Sequence, residues 1–171
     1  MLGRVISPLE EVLEPRAGRR HIFVFDGLLD ESLLRKRHPG ARLVSKAWLY
    51  DHRWVVTREG QIAAIFHPDS VIYGVVWDVE NVCRPLSKLD RHKSTETLDT
   101  VVCGTDGRLI AAEFRASNTS QYGAIDALDI VRILACAYQL RFPDNYMREI
   151  SNWAAPPDRN PRHDLPRSTL C

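Results

Sequence analysis

The stretch that decides the fold is HIFVFDGLLD, residues 21–30. Its first five residues are mainly β-branched or aromatic, which predicts a buried strand over 21–25. Asp26-Gly27 is a turn signal that ends the strand. Asp30 then has the right side chain to cap a short helix, which the breaker His38-Pro39-Gly40 ends. We therefore expect a strand, a tight loop and a short helix, in that order.

Strand patterns dominate the next part of the chain. Residues 41–79 predict four consecutive short strands, divided by turn signals at Asp51-His52, Glu59-Gly60 and Pro68-Asp69. Residues 97–103 and 109–116 predict a further hairpin around the turn Thr105-Asp106-Gly107. So many short neighbouring strands imply a closed or strongly curved sheet.

Helical patterns follow and alternate with the strands. Residues 83–92 predict a short helix, and two more helices are predicted on either side of Arg141-Phe142-Pro143. The first of these two is so densely apolar that we expect it to be buried all round. The fold class is therefore α+β, a small curved or barrel-like mixed β-sheet with short flanking helices. We expect an N-terminal lead-in over 1–20, one domain over 21–153 and a flexible Pro-rich tail over 154–171.

The composition of the chain argues against several classes of binding partner. The chain has 171 residues and a net charge of +1, so it lacks the strong positive field that holds nucleic acid or an anionic membrane. No apolar run reaches the ~20 residues of a membrane span, and the acidic N-terminal stretch is unlike a secretory signal. We expect a cytoplasmic protein with a small-molecule ligand and no nucleic-acid or membrane partner. Oligomeric state is left open.

The cysteines indicate neither a disulfide framework nor a metal site. None belongs to a CxxC pair, and none has a histidine at ligand spacing; the four are Cys83, Cys103, Cys136 and Cys171. We expect free thiols, no metal and no cofactor. A thiol nucleophile is also disfavoured, because such a residue needs a nearby base.

Five segments in the same order resemble a known family. IFVFDGLLD stands where that family has a variant of Y-F-A-Y-G-S-N-L, and HPGARLVSKAWLYDHRW resembles its C-P-G-A motif and following strand. VIYGVVWDV, KLDRHK and ACAYQLRFPDNYMREI resemble its V-x-G-V-L-Y-x-V, L-D-x-x-E and closing G-L-P-x-x-Y segments. Over residues 21–153 the chain thus resembles the γ-glutamylcyclotransferase-like family.

The resemblance implies an intramolecular acyl transfer. The free α-amine of a γ-glutamyl amide attacks its own γ-carbonyl, which yields 5-oxoproline and releases an amine. A carboxylate must take the proton from the attacking ammonium, and backbone N–H groups of the loop after the first strand must hold the substrate. Carried onto this chain, the substrate-binding candidates are Phe25, Gly27, Leu28 and Leu29, with Tyr122 and Asp129 on or near the later helix. For the last two, local capping or packing is the alternative.

The sequence differs from the family pattern at the positions of the general base and of the substrate-binding loop. Lys93 stands at the family's general-base glutamate, and Asp26 stands at the glycine of the loop. We hypothesise that Asp26 and Lys93 form a charge-swapped catalytic pair; the alternative is two solvated charges. Glu96 is the other candidate base. The sequence therefore predicts an enzyme with a remodelled active site, and a catalytically inactive binding or interaction module is the alternative.

Overall fold

The computed structural model describes residues 11–81 and 95–154. Their elements are β1 (Val12–Leu13), β2 (Arg19–Val24), α1 (Glu31–Arg37), β3 (Arg42–Val56), β4 (Ile62–Glu80), β5 (Glu96–Gly104), β6 (Leu109–Ala116), α2 (Ala127–Gln139) and α3 (Asp144–Ser151). A 3₁₀ turn over Gly27–Leu29 joins β2 to α1. The helix predicted over 83–92 lies outside the described residues. No helix in the described ranges is long and apolar enough to cross a membrane.

Strand β6 closes the sheet because it pairs along both edges. One edge runs antiparallel to β5 over eight residue pairs, from Glu96 opposite Ala116 to Cys103 opposite Leu109. The other edge pairs in parallel with β1, then with β2 at Ile22–Glu113, then with β4 at Ala64–Ala116. Since β2, β4, β3 and β5 also pair in that order, the strands form a closed ring. This confirms the predicted α+β fold with a barrel-like mixed sheet.

The region 41–79 contains two long bent strands, so the prediction of four short ones was wrong. Tyr50 pairs with Val71 and His52 with Phe66, so residues 67–70 bulge out opposite Asp51. Asp51 and Asp69 take left-handed backbone conformations, with φ of 56° and 61°, and the Asp69 N–H donates to Asp51 Oδ1 at 3.1 Å. The turn signals at these aspartates therefore bend continuous strands. Only Glu59-Gly60 reverses the chain.

The hydrophobic core fills the barrel and continues under the helices. Trp54, Ile72 and Ile110 are buried strand residues, and Leu34 of α1 is completely buried. The indole of Trp54 donates to the carbonyl of Phe25 at 3.0 Å. This bond ties the end of β2 to β3 and satisfies a polar group in an apolar environment.

The two C-terminal helices pack with one face each, which corrects the expectation that the first is buried all round. On α2, Ile130, Ile133 and Ala137 are buried, whereas Leu128 and Val131 are 68% and 61% exposed. The apolar density therefore reflects an ordinary buried stripe with additional apolar residues on the solvent side. On α3, the buried Tyr146 hydroxyl donates to the Tyr73 carbonyl at 3.1 Å, and burial raises its pKa. The break near Arg141 is confirmed, because that residue takes a φ of 58°.

We predict that Gly74→Ala lowers the free energy of unfolding by about 3 kcal/mol, because the packed barrel has no room for a methyl group there. An added Cβ would contact the Val24 carbonyl oxygen and come within 2.7 Å of the Phe23 ring. Gly27→Ala is the matched control, since its Cβ meets nothing within 4 Å, and should change stability by less than ~0.5 kcal/mol. Urea denaturation measures both. Equal losses in the two variants would contradict this packing.

Candidate active site

The loop between β2 and α1 is built from two successive aspartate caps. Asp26 Oδ1 accepts the Leu28 N–H at 2.9 Å, and four residues later Asp30 Oδ1 accepts the Ser32 N–H at 2.8 Å. The hydrogen bonds from Ser32 lower the pKa of Asp30 below its usual value. Aspartate favours such positions because its short side chain bonds to the backbone two residues on. The sequence Asp-Gly-Leu-Leu-Asp therefore fixes the loop by local chemistry.

The loop follows directly after β2 and lies at the surface of the barrel. Val24 is the last residue of β2 to pair with β4, and the Phe25 side chain then turns into the core, where its ring lies 5.7 Å from that of Phe23. Leu29 is also in the core. The side chain of Asp26, between these two anchors, remains part-exposed at 19%. The loop is thus anchored on both sides of one carboxylate.

A cavity of about 160 Å³ opens beside Asp26. It lies among β2, the start of β5, the end of β6 and the end of α1. Its charged and polar lining residues are Arg20, Asp26, Arg37, His38, Thr97, Glu113 and Arg115. Three guanidinium groups and two carboxylates therefore share a small volume.

These charges are arranged in pairs. Arg115 Nη1 lies 3.5 Å from Asp26 Oδ2, and Arg20 Nη1 lies 2.9 Å from Glu113 Oε2. Glu113 and Arg115 are two residues apart on β6, so both face the same side of the sheet. Asp26 thus lies between a backbone donor, the Leu28 N–H, and a guanidinium.

The structure brings together only some of the predicted site residues. Phe25, Asp26 and Leu28 line the cavity, and Gly27 belongs to the same 3₁₀ turn. Leu29 contributes to the core. Glu96 is the exposed first residue of β5, next to the lining residue Thr97. Lys93 lies outside the described residues, so its pairing with Asp26 stays a prediction.

Tyr122 and Asp129 do not line this cavity. The Tyr122 ring packs edge-on against Trp153 with centroids 5.7 Å apart, and Asp129 pairs with Arg132 across 3.3 Å on the exposed side of α2. The Tyr122 contact is of the packing kind, whereas Asp129 makes an ion pair and the cap of α2 is Asp126. Within the described ranges, no group of three or more potential ligand side chains could hold a metal ion. Cys136 is partly buried, which raises the pKa of its thiol.

Four charged residues line the cavity without having been predicted from the sequence: Arg20, Arg37, Glu113 and Arg115. Glu113 and Arg115 alternate with the buried Ala112 and Phe114, a pattern that marks one polar face of a strand. That alternation could have identified the face, but its proximity to Asp26 depends on the parallel pairing of β2 with β6. Parallel pairing between distant strands has no local signal.

Comparison with solved structures identifies the architecture. A γ-glutamyl cyclotransferase has a TM-score of 0.65 and 17% sequence identity, over 83% of this chain and 91% of that one. The chain has the γ-glutamyl cyclotransferase fold. An uncharacterized protein from Homo sapiens gives 0.66 and 17%, over 82% of this chain and 90% of that one. YkqA from Bacillus subtilis gives 0.59 and 12%, over 81% of this chain and 56% of that one.

Comparison by sequence, in contrast to comparison by structure, finds no match. No protein-family model matches the chain, and no curated protein is significantly similar to it. The sequence resemblance indicates the loop after β2 as the site, and that assignment stays a prediction. The site's activity must be argued from its own residues.

We predict that Asp26→Ala lowers the free energy of unfolding by about 1 kcal/mol, because the Leu28 N–H loses its acceptor. Asp26→Asn keeps an acceptor oxygen and should cost no more than a few tenths of a kcal/mol. Glu149→Ala, at an exposed position on α3, controls for loss of a surface carboxylate. Chemical denaturation distinguishes the variants, and an Asn variant as unstable as the Ala variant would contradict a capping role.

Proposed function

We propose that the protein is a γ-glutamylcyclotransferase-like enzyme that acts on a γ-glutamyl amide, or a related amine-bearing amide, through a remodelled active site at the Asp26 loop. The observation that carries this proposal is the Asp26 carboxylate lying beside the Arg115 guanidinium in a small cavity. A γ-glutamyl group carries an α-ammonium and an α-carboxylate on one carbon. The two side chains offer one complementary charge to each.

The size of the cavity supports the same ligand group. A cavity of about 160 Å³ has room for a small polar group. An α-amino acid head group has five non-hydrogen atoms. The remainder of a γ-glutamyl amide would extend out of the cavity, which is open to the surface.

In the proposed reaction, Asp26 is the base. Its carboxylate removes a proton from the substrate's α-ammonium, because the protonated amine has no lone pair with which to attack. The amine nitrogen then bonds to the γ-carbonyl carbon and loses its second proton to water, the amide C–N bond breaks, and Asp26 returns the first proton to the departing amine. The products are 5-oxoproline and a free amine. Arg115, with Arg37 on the same cavity wall, would hold the α-carboxylate through charge-assisted hydrogen bonds.

Lys93 and Glu96 keep their predicted roles in this proposal. Lys93 would stabilise the ionised Asp26 from the segment that follows β4, in place of the family's glutamate. Glu96 would serve as the second candidate base, since it adjoins Thr97 at the cavity. Substitution of each residue tests these roles separately.

One observation favours a second function, that of a catalytically inactive binding or interaction module. Asp26 Oδ1 already accepts the Leu28 N–H, and the Leu29 N–H donates to the Asp26 carbonyl at 2.9 Å. These loop donors are the ones that the family resemblance assigns to substrate. With them occupied, a ligand could bind the arginines while these two loop donors do not stabilise a developing oxyanion.

A direct assay separates the two functions. The purified protein is incubated with a panel of γ-glutamyl amines, γ-glutamyl amino acids and glutathione, and 5-oxoproline is measured by mass spectrometry. We expect release by the native protein and a loss of at least 100-fold in Asp26→Asn, the magnitude typical for removal of a general base. Asp106→Asn, at the β5–β6 turn, is the matched control and should retain full activity.

Lys93→Glu restores the family's carboxylate, and this variant is assayed beside the native protein. No release from either the native protein or Lys93→Glu, with saturable binding of the same compounds, would establish the binding module instead. Release of 5-oxoproline that is unaffected by Asp26→Asn would overturn the assignment of Asp26 as the base. Glu96 would then be the next residue to substitute.

A further inference from the structure

A second, larger cavity lies on the other side of the Arg20–Glu113 ion pair. Its volume is about 550 Å³, and it opens between the start of β2, the middle of β5 and β6, and the residues after β1. Its lining residues are Glu14, Pro15, Arg20, His21, Asp99, Thr100, Val101, Ala111, Ala112 and Glu113. Asp26 is not among them, so the cavity is separate from the proposed active site.

The cavity adjoins an interruption in the parallel pairing of β6. Strand β1 pairs with β6 as far as Ile110, and β2 pairs with it at Glu113. The Ala111 carbonyl between them has a side-chain partner instead, because His21 Nδ1 lies 3.0 Å from its oxygen. A carbonyl oxygen only accepts hydrogen bonds, so Nδ1 must carry the hydrogen. In uncharged His21 the lone pair is therefore on Nε2.

Two nitrogens on the cavity wall lack hydrogen-bond partners. His21 is only 6% exposed, and none of the described residues bonds to its Nε2. Arg20 Nε is a buried donor without a partner. Buried polar groups are almost always satisfied, because an unpaired one costs free energy. Arg20 Nε has almost no accessible surface, so the group that the wall presents to a bound molecule is the His21 Nε2 acceptor.

The charge of the wall indicates which kind of molecule. Three carboxylates, on Glu14, Asp99 and Glu113, face one guanidinium, on Arg20. Asp99 and Glu113 are directly opposite each other on β5 and β6, an arrangement in which like charges repel. Arg20 pairs with Glu113, while Asp99 and Glu14 have no ion pair among the described residues. Asp99 and Glu14 are solvent-exposed, and a cation on the Asp99 side of the cavity would reduce the repulsion between Asp99 and Glu113.

We propose that this cavity binds a small organic amine that also carries an oxygen acceptor, such as an amino alcohol. The ammonium donates to Asp99, Glu14 and His21 Nε2, and it has no lone pair to repel them. The oxygen accepts from the accessible end of the Arg20 guanidinium, and the alkyl stem lies against Val101 and Ala111. A carboxylate ligand is excluded, because it would meet three like charges and the lone pair of Nε2.

The test uses 4-amino-1-butanol as the probe and 1,4-butanediol as its neutral analogue, which differs only in the ammonium group. Imidazole ¹⁵N NMR follows His21 Nε2 during each titration of the native protein. We expect a saturable shift with the amine and none with the diol. Asp99→Asn should weaken binding at least tenfold, whereas Glu149→Gln, on α3, should leave it unchanged.

His21→Asn gives a second, independent measurement. The asparagine amide retains a donor for the Ala111 carbonyl but removes the Nε2 acceptor. We expect its thermal stability to stay close to that of the native protein while amine binding, measured by calorimetry, is lost. Absence of saturable amine binding, equal binding of the diol, or native affinity in Asp99→Asn would each overturn the proposal. The Asp99→Asn titration decides the matter even if the His21 variant fails to fold.

Discussion

The pairing of β6 along both edges is the constraint on which the rest of the structure depends. One edge holds β5 in a simple hairpin, while the other accepts β1, β2 and β4 in turn, from three separate parts of the chain. This closes the barrel and leaves no long free edge on β6. It also sets Arg115 beside Asp26 and places Glu113 between the two cavities. Both proposed binding sites therefore follow from the closure of the sheet.

The Asp26 carboxylate has several competing partners, and this competition governs what the loop can do. It caps the Leu28 N–H and lies near Arg115, so part of its acceptor capacity is already used. A substrate ammonium would approach the remaining lone pairs. The Asp26 carboxylate thus satisfies a donor of its own loop when no ligand is bound, and its remaining lone pairs can bind an amine. A glycine, which the family pattern has at this position, lacks the carboxylate that accepts the Leu28 N–H.

The sequence predicted the local parts of this structure and missed the long-range ones. The loop, the Asp30 cap, the β5–β6 hairpin and the helix break near Arg141 all depend on residues close in the chain. The aspartates at 51 and 69 were interpreted as chain reversals, although both bend paired strands, because a left-handed aspartate serves either purpose. Arg115 and Glu113 were not identified as site residues, since only parallel pairing with β2 brings them to Asp26. Lys93 lies outside the described residues, so the structure does not test its predicted role.

We propose that the Asp26 loop and Arg115 form one binding site for the head group of a γ-glutamyl compound. We would titrate the full chain with γ-glutamylethylamide, followed by ¹H–¹⁵N NMR, and compare it with N-ethylbutanamide, which lacks both the α-amine and the α-carboxylate. We expect saturable shifts at Asp26 to Leu29, Arg37 and Arg115 with the γ-glutamyl compound, and none with the analogue. Shifts confined to other parts of the barrel, or identical responses to both compounds, would contradict it.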